Sequence, residues 1–323
     1  MTKDRSTAVV ITARNAAKTA ARAVSSALRQ DVVREVVFID DASTDFTSDV
    51  AASEDDGSGR LKIIRLNDNV GPSRARNIAI AASASPFICI LDADDYMAPR
   101  RLESLFEAAG SDDWDLVADD LYFASEEDPA AVYDRLLEDG TQTPLKLDLN
   151  RFIAANVPRK DRYRREFGFL KPIIRRSFLE AHRLRYDERL RLGEDFVLYT
   201  ECLLQGAMFR VVAACGYFAI ERRDSLSSLH RTDDVEALSV ALGELHEKMP
   251  TPATQAAFRQ VMDFTRNNLA FRKMLDAKRR DGLYGFIREA AKAPASLPFV
   301  ARSILDAKSS AARKALSDVW KTR

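Results

Sequence analysis

Three cysteines, Cys89, Cys202 and Cys215, are too few and too widely spaced in these 323 residues for a disulfide framework or a CxxC zinc pattern. The three histidines, His182, His230 and His246, form no cluster with metal-ligand spacing. The stretch MTKDRSTAVV lacks a basic region followed by a long apolar run, so no secretory signal is read there. No apolar run reaches the roughly 18 to 20 residues that a membrane-crossing helix requires. The longest candidate, 78–91, is interrupted by serines and Pro86. Net charge is missing as well: 49 Lys and Arg balance 49 Asp and Glu. A general polyanion binder is thereby excluded, and no nucleic-acid partner is expected. The expected location is cytoplasmic.

What the chain does contain is an ordinary globular balance, 46% hydrophobic and 30% charged, enough for a sizeable core. The zero net charge hides an asymmetry. Residues 257–323 carry 15 basic and 6 acidic side chains, a surplus of +9, which leaves −9 on residues 1–256. Such a split suggests a tail facing something anionic.

The first 125 residues alternate strand and helix signals. Short β-branched runs at 8–11, 36–39, 61–66, 87–91 and 116–123 read as buried strands. Helical patterns fall between them at about 16–29, 72–84 (with Pro72 in its first turn) and 99–109, and Ser43 or Thr44 is placed to cap a short helix. Near-continuous apolar strands alternating with helices predict an α/β fold, a mostly parallel sheet covered on both faces. Residues 125–165 read as helix and loop over the sheet edge. A strand-to-helix junction is expected at 173–183, a helix from Glu194 to about Gln205, and strands at 208–212 and 217–220. From Asp234 onward the pattern is helical. The division that follows is 1–230 and 231–323.

In such sheets ligands bind beyond the carboxyl ends of the strands. Two acidic clusters sit there. Asp92-Ala93-Asp94-Asp95 follows the apolar run FICIL, and carboxylates this close repel unless water or a cation neutralises them. Mg²⁺ or Mn²⁺ prefers oxygen ligands and often takes one or two carboxylates plus substrate phosphates. A solvated acidic turn is the plain alternative. The second cluster, Asp40-Asp41-Ala42-Ser43-Thr44-Asp45, could cap a helix through Ser43 and Thr44 while Asp40 and Asp41 face a ligand.

Taken in order, ITARN (11–15), FIDDASTD (38–45), NVGPSRARN (69–77), ILDADD (90–95) and RLGEDFVLYTECLLQGA (191–207) resemble the inverting family 2 glycosyltransferases of the GT-A fold. Among these, the bacterial exopolysaccharide and succinoglycan-type sugar transferases are the most similar in motif. More usual versions read VPVYN, VDDGSTD, NxGxxxARN and LDSDD. Arg14 therefore stands where Tyr is common, and Ala42 replaces Gly. The resemblance implies that Thr12, Arg14 and Asn15 line a nucleotide pocket and that Asp41 holds the uracil ring with Asp40 adjacent. It sets Gly71 and Arg74 beside the base and diphosphate. It brings Asp92 to the ribose beside Ala93, and makes Asp94 the ligand of a Mn²⁺ or Mg²⁺ ion bridging the diphosphate. Asp195 would be the general base, with Glu194 orienting the acceptor or the base. Attack by a sugar hydroxyl on the anomeric carbon would expel a nucleoside diphosphate, so charge grows on the leaving group and a proton must be removed opposite it. Without the upstream motifs, Glu194 and Asp195 read as acids favoring a helix N-terminus.

Further candidates carry thinner signals. Arg222-Arg223-Asp224-Ser225-Leu226-Ser227 resembles a loop of that family, and the arginines suit diphosphate oxygens; a solvated basic loop is the alternative. His230 is a phosphate or metal contact or an ordinary loop histidine. Lys171 and Arg175 could meet anionic groups. In the tail, basic clusters at 272–273, 278–280 and 313–314 interleave with apolar residues including Leu283, Tyr284, Ile287 and Trp320. That pattern suits an anionic membrane surface at the inner face of the cell membrane, packing on the core, or a homodimer contact. The expected activity is metal-dependent transfer of a hexose, glucose first, from a UDP-sugar to a polysaccharide or lipid-linked oligosaccharide. The competing readings are a haloacid dehalogenase-like phosphatase using Asp92 and Asp94, and a non-catalytic nucleotide-sugar-binding module.

Overall fold

The computed structural model describes residues 4–110, 113–159, 165–221 and 231–305. Arg222, Arg223, the rest of that basic loop, His230 and the basic cluster at 313–314 lie outside the described residues, as does Trp320.

Strand β1 (Thr7–Ala13) is almost wholly buried, as its run of Val and Ile requires. Helix α1 (Ala20–Leu28) follows and presents Ala20, Ala23, Val24, Ala27 and Leu28 to the core at helical spacing. Its small side chains let it lie close to the sheet. Then come β2 (Val33–Asp40), α2 (Thr47–Ala52), β3 (Leu61–Arg65), α3 (Pro72–Ala81) and β4 (Phe87–Asp92). After them run β5 (Tyr96–Met97), α4 (Arg101–Ala108) and β6 (Leu116–Ser125). The charged stretch that reads as helix and loop holds a helix, α5 (Leu149–Ala155), and before it two short strands that the pattern does not show, β7 (Val132–Arg135) and β8 (Leu145–Leu147). The two short strands expected near 208–220 are one strand with a break in register, β10 (Phe209–Glu221). Before it lie β9 (Ile173–Arg175), α6 (Arg176–Ala181) and α7 (Glu194–Leu204). Helices α8 (Thr232–Glu247) and α9 (Pro252–Lys292) close the fold.

Among the described residues ten strands form one sheet, with β3-β2-β1-β4-β9-β6-β10-β5 as its path. Strands β3, β2, β1 and β4 are mutually parallel, and β6 and β10 run the same way. The sheet is therefore mostly parallel. Strand β9 is inserted antiparallel between β4 and β6. This reversal matters for the site. A parallel strand reaches the carboxyl rim with its last residues, but an antiparallel one reaches it with the residues just before it. Ile173 pairs with Cys89, so continuing the register sets Lys171 against the end of β4.

The C-terminal helices are not detached from this core. Ala241, Leu242, Leu245, Met249, Phe258 and Val261 belong to the same buried cluster as the sheet residues. Phe258 stacks on Phe196 of α7, with ring centroids 6.1 Å apart. The helical geometry of α9 is interrupted at Gly282 (φ 67°). Beyond it Leu283, Tyr284 and Ile287 are exposed. Among the described residues no helix is long and apolar enough to cross a membrane.

Candidate functional site

The rim is assembled by register. Thr12 lies beside Asp92, and Ala13 beside Asp40, so the ends of β1, β2 and β4 line up. Just past Asp92, the chain turns through Ala93 and Asp94. Asp95 anchors that turn by accepting hydrogen bonds from Tyr217 Oη and Ile220 N of β10, both at 2.8 Å. Burial pushes the Asp95 carboxyl well up, and repulsion from Asp94 and Asp92 adds to this. Ala93 is buried and Asp94 is half-buried; the Asp94 carbonyl accepts from Arg22 at 2.7 Å.

The centre is a buried charge cluster. Arg76, one turn into α3, donates to Asp92 Oδ1 at 2.9 Å, Glu194 Oε1 at 2.8 Å and Asp195 Oδ1 at 3.1 Å. Lys171 Nζ lies 3.0 Å from Asp92 Oδ2 and 2.7 Å from Asp195 Oδ2. Tyr186 Oη donates to Asp195 Oδ1 at 3.0 Å. Burial by itself would raise the Asp92 pKa, but Lys171 and Arg76 together lower it to about 2. Burial opposes the charge on Lys171, and Asp195 and Asp92 outweigh it, so this lysine holds its proton more firmly than a free one. Arg76 behaves likewise, countered by Asp195 and Glu194. Burial raises Glu194; Arg76 opposes the shift and Asp195 reinforces it. Two cations therefore face three carboxylates.

The segment NVGPSRARN builds this arrangement residue by residue. Asn69 Nδ2, Val70 N and Gly71 N donate to the Asp41 carboxylate at 2.6, 2.7 and 2.9 Å. Gly71 has φ 90°, and a Cβ there would meet the Arg191 guanidinium at 3.1 Å, so glycine is needed for both backbone and space. Ser73 Oγ donates to the Leu190 carbonyl at 2.6 Å. Asn77 exchanges hydrogen bonds with the backbone of Tyr186. Motif residues thus tie α3 to the segment that leads into Glu194 and Asp195. Gly193, at φ 73°, begins α7 in the left-handed region.

Several expectations are corrected. Ser43 and Thr44 cap no helix, since α2 begins at Thr47. Instead Ser43 Oγ accepts from Asn15 N at 2.9 Å, and Asn15 Oδ1 accepts from Thr44 N at 2.8 Å. Asp40, expected to face a ligand, has no exposed surface, and its carboxylate accepts from Ser43 N and Ser48 Oγ, which organises the turn. Arg74 is exposed and reaches toward Glu188 at 3.7 Å. Arg76 follows Arg74 by two positions, about 200° around a helix, so the two cannot face the same way. Arg175 lies over Phe87 and Trp114 at 5.1 and 5.2 Å and bonds the Trp114 carbonyl, a packing role at the far end of β9. Arg14 and Asn15 are exposed at the rim, and Thr12 is half-buried.

Sequence reading gave no role to Arg76, Tyr186 or Arg191, and only a weak one to Lys171. Arg76 lay in plain view inside the RARN motif. Tyr186 lies outside the motifs and Arg191 at the edge of one: Tyr186 meets Asp195 and Asn77, 9 and 109 positions away, and Arg191 meets Asn69, 122 positions away.

A divalent cation is testable against these donors. Both Asp92 oxygens engage Arg76 and Lys171, the Asp95 carboxyl is buried against β10, and Asp92 and Asp94 are each half-buried. Among the described residues no three His, Cys, Asp or Glu side chains form a metal cage. This donor set fits a hard cation held largely by substrate phosphates, with one protein carboxylate, and does not fit one caged by protein alone.

The family model described as "Glycosyl transferase family 2" matches residues 8–175. The succinoglycan biosynthesis protein ExoU of Rhizobium meliloti (strain 1021) is 42% identical over 298 residues, covering 92% of this chain and 86% of that protein. The S. aureus TarS 1–349 crystal structure in complex with UDP-GlcNAc superposes with a TM-score of 0.64 at 19% identity, covering 90% of this chain and 81% of that one. The mannosyltransferase PcManGT from Pyrobaculum calidifontis, in complex with GDP-Man and Mn²⁺, gives a TM-score of 0.56 at 15% identity, covering 93% and 80%.

Proposed function

The chain belongs to glycosyl transferase family 2 and is a glycosyltransferase, and from that premise we propose the reaction it performs. It moves a hexose, glucose being the first donor to test, from a UDP-sugar to a polysaccharide or lipid-linked oligosaccharide, with inversion, in exopolysaccharide assembly. The similarity to ExoU supports the pathway class, and the fold shared with a UDP-GlcNAc-bound enzyme supports the donor class. The phosphatase reading and the non-catalytic reading both give way to the family assignment.

One observation carries the reading. Asp92 at the end of β4 and Asp195 at the start of α7, 103 positions apart, meet at the same two buried cations. This juxtaposition supports a donor side and a base in one place. Among the described residues Asp195 Oδ2 accepts one hydrogen bond, from Lys171, and keeps a second acceptor direction for an incoming hydroxyl. As the acceptor oxygen bonds the anomeric carbon, the bond to the diphosphate breaks and the hydroxyl proton passes to Asp195. Among the described residues Asp41 Oδ1 accepts from Val70 N alone, which keeps a direction for the uracil N–H. Thr12, Arg14, Asn15, Gly71, Asp92 and Ala93 line the nucleotide side. A Mn²⁺ or Mg²⁺ ion at Asp94 would supply charge to offset that developing on the diphosphate. Glu194 orients the base through their shared Arg76. The exposed Leu283, Tyr284 and Ile287, flanked by Lys278, Arg279, Arg280 and Arg288, rest against an anionic membrane carrying the acceptor.

Calorimetry with UDP and Mn²⁺, followed by UDP-release assays over UDP-, GDP- and dTDP-sugars, tests the reading. Asp195→Ala should bind UDP like wild type and lose turnover; unimpaired turnover rejects the base. Flotation on anionic vesicles should weaken in Leu283→Asp/Ile287→Asp. Unchanged flotation, or a shift in sedimentation showing self-association through this face, rejects the membrane contact.

A further inference from the structure

The buried lysine at the centre of the site has a geometry that charge balance alone does not require. Its ammonium bridges two carboxylates on different elements, Asp92 of β4 and Asp195 of α7, at 3.0 and 2.7 Å. Its backbone is held as tightly as its side chain. Arg101 donates to the Lys171 carbonyl at 2.7 Å and is itself clamped by Asp119 at 2.6 Å, with neither of that pair exposed. Tyr199 Oη donates to the neighbouring Leu170 carbonyl at 3.1 Å. Burying an ammonium is costly unless it is paired, and fixing its main chain as well leaves it little freedom to relax. Arg76 contacts the same carboxylates from α3. Lys171 reaches them from the segment just before β9, so two separate parts of the fold set the distance between the donor-side aspartate and the base.

We propose that Lys171 is a positioning residue, an ammonium strut that fixes the base Asp195 relative to the donor-side Asp92. This rests on the reading of Asp195 as the base. An inverting displacement needs its base in line with the breaking bond, and a misplacement of about 1 Å costs on the order of 100-fold in rate. Lys171 touches neither the acceptor hydroxyl nor the anomeric carbon in this scheme. Its work is done through the two aspartates.

The experiment uses the full chain. The separation of the Asp92 and Asp195 carboxylates, both held by Lys171, is measured in crystals of wild type, Lys171→Met and Lys171→Arg, and should change in Lys171→Met. With the UDP-sugar that supports turnover, Lys171→Met should lower kcat about 100-fold with donor KM within a few-fold. Lys171→Arg keeps the charge, but its longer planar group cannot reproduce the strut, and it should lose about 10-fold in kcat. An unmoved Asp195 in Lys171→Met overturns the proposal, as does wild-type kcat in both variants. If no UDP-sugar is turned over by wild type, the functional reading fails, and the carboxylate separation alone then judges Lys171. Should Lys171→Met not fold, the kcat and the carboxylate separation of Lys171→Arg decide.

Discussion

Replacing Arg76 by Met removes the cation that contacts three carboxylates at once, Asp92, Glu194 and Asp195, all within 3.1 Å. Methionine fills similar apolar volume, so the loss is chiefly electrostatic, with a smaller contribution from the guanidinium 5.2 Å above the Tyr186 ring. In the wild-type cluster two cations face three carboxylates; in the variant Lys171 faces all three alone. Breaking a buried pair by removing one partner costs about 3–5 kcal/mol, because the remaining charge stays uncompensated. Three contacts do not triple this figure, since Lys171 still serves Asp92 and Asp195, so a loss of about 3–5 kcal/mol is expected at pH 7. The pH dependence gives a sharper check. Arg76 opposes the burial that raises the Glu194 pKa, so without it Glu194 binds its proton more readily in the folded state than in wild type. By linkage, the stability deficit of the variant is then largest at neutral pH and shrinks as pH falls and this carboxyl protonates. Urea unfolding of both proteins at pH 7.5 and pH 5 measures it. A loss below about 1 kcal/mol at pH 7.5, or one that is the same at both pH values, would show that the three carboxylates do not depend on Arg76.

Other expectations follow from single residues. Arg101→Met strands Asp119, whose carboxylate has no exposed surface, and should cost about 3–5 kcal/mol in urea unfolding; a cost under 1 kcal/mol would mean the pair is not buried as described. Ala42 stands at φ 56°, a left-handed position where the related motif has glycine, so Ala42→Gly should raise stability by about 1 kcal/mol, and a fall in melting temperature would contradict the strain. Glu194→Gln removes a carboxyl whose pKa is raised on folding. A raised carboxyl stabilises most at low pH, and that contribution is lost as pH rises through its folded value, so the glutamine variant should gain on wild type between pH 5 and pH 8. Equal differences at both pH values would refute it.

The strands β1, β2, β3, β4 and β6 and the helices α3 and α7 were legible because apolar runs and caps are local features. So was the order of the motifs, and with it the family. Residues 132–147 were misread because their strands are short and charged and owe their pairing to β6 and β10, not to any propensity of their own. Asp40 and Asp41 look alike in sequence, yet one is turned into its own loop and the other grips the segment 69–71.

The one-dimensional string determined which side chains would stand at strand ends, since burial patterns place those ends and the acids follow them. Only the tertiary structure decided which charges meet. A single antiparallel strand, β9, delivers Lys171 to a rim that its neighbours reach from the opposite direction. No local pattern encodes that reversal, because it depends on β9 finding its place between β4 and β6, and long-range pairing is written in the fit of the whole sheet.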